Sequence, residues 1–255
     1  MNSVIESGRI IKCRGSHIRQ DGAEVEGESV YEMRFLDESA MQEMLDLQEL
    51  VVHHLPVPEI FRQHDRSYLQ ELFRRGQSAE RSALGVTTRK GLIAYSIIHF
   101  PGLARDNLGR DIGLPERELE KVAHLQAAMV HPAYRGNGLQ RKMAAQHQKV
   151  IKNLGCEHVC CTISPWNPYS LRNMLASGFG IRGLVPKFEG WWRFIMYKNV
   201  LHGMNLDEGG EEILINAADI QGQIELLNRG FVGRREIPFP CDFEVCYQKA
   251  CIPHP

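Results

Sequence analysis

The stretch VHPAYRGNGLQRKM, residues 130–143, passes from an apolar residue through a proline turn into Arg135-Gly136-Asn137-Gly138 and then into a helical pattern. Leu139, Met143, His147, Val150, Ile151 and Leu154 fall on one face of a helix over 139–154, and Gly155 follows as a C-terminal cap. Upstream, VAHLQAAMV at 122–130 reads as a strand. Strand, glycine-rich turn and helix in this order suit an anion. The first turn of a helix carries backbone N–H groups without intrahelical partners, and the helix dipole adds about half a positive charge there. Gly136 and Gly138 remove the Cβ atoms that would keep a phosphate at a distance.

Around this loop the chain alternates strands and helices. Residues 29–37 read as a strand, 38–55 and 65–76 as helices, and 84–100 as two β-rich runs around Arg89-Lys90-Gly91. A polar connection, 101–120, carries several Gly and Pro, and a connection that long is usually functional or mobile. HVCCTIS at 158–164 is a buried strand, NPYSLRNMLAS a short helix stopped by Gly178, and 179–186 and 191–199 are two more strands. The pattern predicts a mixed α+β fold, with 1–28 an N-terminal segment suited to a β-hairpin, 29–200 the main domain and 201–255 a C-terminal extension.

Composition narrows the function classes. Thirty Lys and Arg against thirty-one Asp and Glu leave a net charge of -1, so no bulk field attracts nucleic acid or an anionic membrane. No apolar run approaches the roughly 20 residues that span a bilayer, and the N-terminus lacks a signal pattern, so the expected location is cytoplasmic. The seven cysteines lack paired CxxC spacing and a histidine set at zinc intervals; they read as reduced thiols, with no metal site expected.

Two phosphate-binding motifs are excluded by spacing: GxxxxGK[ST] is missing, and GNG lacks the third glycine of GxGxxG. What remains resembles the GNAT superfamily of acyl-CoA-dependent N-acyltransferases, whose pyrophosphate loop reads Q/R-x-x-G-x-G/A. Arg135, Gly136, Asn137, Gly138 and Leu139 fit that pattern; Gln140 departs from it where a small residue is usual. Asn167 to Phe179 resembles the superfamily's N-x-x-A/S-x(7)-G-F segment beside the pantetheine arm. The resemblance implies a twisted mixed sheet flanked by helices in which parallel strands 122–130 and 158–164 splay apart around acetyl-CoA as cosubstrate. It implies cofactor contacts from Met129, Val130, residues Arg135 to Gln140, Ser164, Asn167, Ser170 and Asn173.

Amide transfer needs an amine without its extra proton, donors for a developing oxyanion and a thiol that leaves. On strand 122–130, His124, Gln126, Ala128 and Val130 share a face by alternation, and superfamily members often mount a base on that strand. His124 is therefore a candidate base, against an equal reading as a structural histidine, with Glu118 and Glu120 as competitors on a charged, solvated run. Backbone N–H groups near Met129 and Val130 are the expected oxyanion contacts. Many members place a tyrosine seven residues after the motif asparagine; here Met174 stands there, and Tyr169 is the remaining candidate acid.

A shift of 52 places sets Ile163, Leu175, Gly178, Phe179, Arg182 and Pro186 against Ile215, Leu227, Gly230, Phe231, Arg234 and Pro238. The extension thus reads as a degenerate repeat of the closing half of the core, without a counterpart of the RGNG loop. The expected activity is acetyl transfer to a small-molecule or peptide amine, with room for a homodimer. A CoA-binding regulatory protein without catalysis, and a transferase for hydroxyl acceptors or longer acyl chains, are the alternatives.

Overall fold

The computed structural model describes residues 4–10, 30–74, 82–203, 210–239 and 242–249. The chain forms two compact units, one of residues 1–58, 63–98 and 126–147, the other of 59–62, 99–125 and 148–255.

In the first unit, strands β1 (Glu6–Arg9), β2 (Val30–Phe35), β3 (Ala83–Thr88) and β4 (Gly91–His99) pair antiparallel in that order, and the second half of β5 (Val122–Val130) follows β4. β2 alternates as a half-buried strand must, with Tyr31 and Met33 inside and Val30 and Glu32 outside. Helix α1 (Met41–His53) buries Met41, Met44, Leu47, Gln48 and Val51, one stripe at helical spacing. A fully buried Met44 contributes about 2 kcal/mol. Helix α2 (Arg66–Arg74) covers most of the helix expected over 65–76; residues 75–76 lie outside the described residues. Helix α5 (Leu139–Asn153) opens in this unit, and Leu139 and Met143 pack with Tyr31, Met33, Leu84 and Val86. The hairpin expected within 1–28 falls largely on residues outside the described ones, apart from β1.

In the second unit the strand order is β5, β6 (His158–Ile163), β8 (Trp191–Asn199), β7 (Gly180–Lys187), β10 (Phe231–Phe239), β11 (Asp242–Lys249), β9 (Glu212–Asn216). β5 and β6 are parallel, as expected; the other pairs are antiparallel. Helices α6 (Pro168–Leu175) and α7 (Ile220–Asn228) join the strands of the two closing segments. The connection 101–120, expected to be functional or mobile, holds α3 (Leu108–Asp111) and α4 (Glu116–Leu119), two single helical turns. Asn107, wholly buried, ties it together, donating to the Gly102 carbonyl at 2.6 Å and the Leu119 carbonyl at 3.0 Å and accepting from Gly109 N–H at 2.8 Å. Its Leu108 packs with Val122, Cys160 and Ile195. No described helix is long and apolar enough to cross a membrane.

Candidate functional site

The loop and the second half of the strand that feeds it, from Gln126 on, lie in the first unit. β5 is not a regular strand: Ala127 has φ 45°, left-handed for a residue with a side chain. Such a conformation costs of order 1–3 kcal/mol and tends to persist where function uses it. The burial pattern around it still alternates, with Ala127 and Met129 buried and Ala128 between them exposed. Gln126, one residue earlier, accepts a hydrogen bond from the Tyr68 hydroxyl. Tyr68 is held in turn: its ring stacks on His64 at 4.3 Å, and the Asp65 carboxylate caps its backbone N–H at 2.8 Å. His64 is clamped by buried Gln48, which donates to its carbonyl at 2.8 Å and accepts from its N–H at 3.0 Å.

Beyond Val130, residues Pro132–Tyr134 make one turn and deliver the chain to the loop. Gly136 and Gly138 take φ 85° and 69°, which glycine adopts without strain. The Asn137 amide donates to the Tyr134 carbonyl at 2.9 Å and shapes the turn. Leu139 is buried and anchors the first turn of α5, while Gln140 is half-buried and Arg135 exposed. Arg141 was not among the residues expected from the sequence. Its guanidinium lies 3.7 Å from where a Cβ on Gly138 would stand, so a cation flanks the glycine. The loop thus combines glycine backbone, a helix N-terminus and two arginines.

His124 lies in the second unit and is 3% exposed. Its Nε2 accepts the Leu108 N–H at 3.0 Å, which places the ring proton on Nδ1. Burial first, then the His99 ring 6.0 Å away and Lys187, push its pKa down to about 3. Of the two readings of His124, base and structural histidine, the engaged lone pair in a group this hard to protonate favours the structural one, a neutral acceptor for the 101–120 connection. Glu118 is no freer; its carboxylate meets Lys121 at 3.1 Å and His158 at 3.3 Å, and the Lys121 hydrogen bond above all holds its pKa low. Glu118, Glu157 and His158 are the described group of possible metal ligands, and the Lys121 ammonium, 3.1 and 3.2 Å from the two carboxylates, supplies positive charge there.

In the same unit the parallel ladder has three described rungs, Val122–His158, Ala123–Val159 and His124–Cys160. β6 runs on to Ile163, and Ser164, 1% exposed, accepts the Trp166 N–H at 3.3 Å. The Asn167 side chain caps α6 by accepting the Ser170 N–H at 3.1 Å. That bond engages the side-chain oxygen of a residue expected to contact the cofactor, and the amide nitrogen remains as its donor. Ser170 and Asn173 are half-buried, and the Asn173 carbonyl accepts from the Ser177 hydroxyl at 2.8 Å. Tyr169 projects into solvent at 76% exposure, and Met174 is buried. Of the cysteines described, Cys156, Cys160, Cys161 and Cys246 are free and buried, and burial pushes the Cys161 thiol up to about 12.

Comparison with known proteins agrees with this geometry. The model of the acetyltransferase (GNAT) family matches residues 52–179, half of the chain. Among solved structures, yncA of Salmonella typhimurium, with its cofactor acetyl-CoA, superposes with a TM-score of 0.52 at 18% identity, covering 68% of this chain and 95% of that one. An N-acetyltransferase of Staphylococcus aureus gives 0.51 at 11% identity, with 67% and 98% covered. Ard1 of Thermoplasma volcanium also gives 0.51 at 11% identity, with 68% and 99% covered. At these identities the likeness is one of fold. No curated protein matches the sequence significantly. The family match over the strand, loop and helix described above is decisive: the chain belongs to the acetyltransferase (GNAT) family, whose members transfer acyl groups from acyl-CoA.

Proposed function

We propose that the protein transfers an acetyl group from acetyl-CoA to an amine of a small molecule or peptide. The loop between β5 and α5 carries the reading. Gly136 and Gly138 in left-handed conformations open the backbone N–H groups of a fifteen-residue helix, and Arg135 and Arg141 add positive charge, which suits a pyrophosphate. Bound acetyl-CoA supplies a thioester carbonyl open to attack. In our reading the N–H groups beyond the kink at Ala127, at Met129 and Val130, donate to that carbonyl oxygen. Asn167 through its amide nitrogen, with Ser164, Ser170 and Asn173, serves the pantetheine arm.

With His124 committed to Leu108, the amine's proton passes to water, and the Tyr68–Gln126 pair beside the kink orients the acceptor. A thiol of ordinary pKa near 8.5 leaves without an acid, so neither Met174 nor the exposed Tyr169 prevents transfer. We read residues 29–200 as the catalytic body and 201–255 as an addition to it. The buried free thiols suit a reducing, cytoplasmic setting. Replacement of the usual tyrosine by buried Met174 favours one rival, a CoA-binding protein without turnover. Thiol release from acetyl-CoA across a panel of amines, amino acids and peptides separates the two: amine-dependent release is expected. CoA binding with no release on any amine would favour the rival.

A further inference from the structure

Within the second unit, the closing half of the core and the C-terminal extension repeat each other down to single hydrogen-bonded pairs. β6, α6, β7 and β8 recur as β9, α7, β10 and β11, and the strand order β6-β8-β7-β10-β11-β9 is a palindrome under that equivalence. Each helix has an N-cap side chain accepting from the residue three positions on, Asn167 from Ser170 N–H at 3.1 Å and Asp219 from Gly222 N–H at 2.9 Å. Each ends before a glycine at φ 84°, Gly178 and Gly230. The β7/β8 register slips between Ile181 and Gly183, leaving out Arg182, and the β10/β11 register slips between Gly233 and Arg235, leaving out Arg234. Ile163 pairs with Phe194, as Ile215 pairs with Val245.

The relation between the copies is fixed by one pairing. β7 meets β10 antiparallel at Ile181–Gly233, and these residues stand 52 positions apart, the shift that aligns the copies. Equivalent residues face each other only on a two-fold axis. The contacts on either side are reciprocal as such an axis requires: α6 packs on β10 and α7 on β7. The packing at the axis is close, since a Cβ on Gly233 would stand 2.7 Å from Ile181 Cδ1. On one side the Arg172 guanidinium grips the buried Glu236 carboxylate with two bonds of 2.7 Å. Ile224 and Leu184 hold the equivalent positions on the other side, so the halves have diverged.

We propose that the edge of β7 away from β8 is an interaction surface for a second copy of the closing unit, and that this chain carries that copy itself, as residues 210–249. The extension is a captive half of a two-fold dimer, and the intact chain does not pair with another chain through β7. This stands on the symmetry alone and is independent of the acyl-transfer reading.

Hydrogen exchange of the unaltered protein over a wide dilution series tests it. Protection of the β7 amides, 180–187, is expected to be independent of concentration, as for an intrachain pairing. Protection that falls on dilution, together with dimers in sedimentation, would overturn the proposal. Gly233→Val places a side chain against Ile181 and should lower protection of β7 and β10 by at least about tenfold. It should also produce concentration-dependent dimers, and Ile181→Ala in the same chain should restore the protection and abolish the dimers. Intact β7 protection in a folded, monomeric Gly233→Val protein would contradict it. Should Gly233→Val not fold, the dilution series on the unaltered chain decides alone.

Discussion

Replacing His124 by glutamine separates a proton acceptor from a structural pin. Glutamine Oε1 can still take the Leu108 N–H that Nε2 accepts at 3.0 Å, so the connection stays held while the ionisable group is lost. The native ring titrates near 3, chiefly through burial, against about 6.5 in an unfolded chain. A histidine depressed in this way binds its proton more tightly in the unfolded state, so stability is full above about pH 6.5 and falls as acid is added toward the native value. Between about pH 7.5 and pH 4 the shift is worth about 3 kcal/mol. His147, wholly buried and pushed down to about 4 by burial, adds a loss of the same sign. Denaturant unfolding across this range should show His124→Gln losing about 3 kcal/mol less than the native protein on acidification. The acid limb of the pH–rate profile should remain in the variant. Equal acid sensitivity in both proteins, with that limb abolished in the variant, would refute the reasoning and return His124 to the role of base.

Other outcomes follow from the same contacts. Asn167→Ala removes the cap of α6 and should cost about 1 kcal/mol in thermal unfolding, with a smaller change in CoA affinity by calorimetry. Tyr68→Phe keeps the stack on His64 and deletes the bond to Gln126; kcat/KM for the amine should fall by about tenfold with CoA affinity unchanged, measured by steady-state kinetics.

The parts legible in the sequence were those written into local pattern. The glycines of 136 and 138, the apolar stripe of α5 and the repeat at a shift of 52 are properties of residue type and spacing, and the structure shows the corresponding elements. Other features are tertiary. Alanine carries no signal for φ 45°, so the kink at Ala127 could not be read from VAHLQAAMV. Tyr68 and Gln126 meet across 58 positions, beyond the reach of any periodicity. Residues 101–120 read only as functional or mobile because Gly, Pro and polar side chains dominate, and the bonds by which Asn107 holds that backbone from within leave no such pattern. The partner this connection gives to His124, Leu108 N–H, is a backbone group, and backbone partners leave no trace in residue type.

Gly138→Asp would set a carboxylate beside the expected phosphates and within reach of Arg141, countering the cation as well as repelling the anion. Titration calorimetry of CoA into the native and Gly138→Asp proteins, with melting temperatures measured alongside, tests the assignment directly. The account predicts saturable binding by the native protein and a loss of at least about tenfold, about 1.4 kcal/mol, in a folded variant. Equal CoA affinity in a variant that melts like the native protein would contradict it.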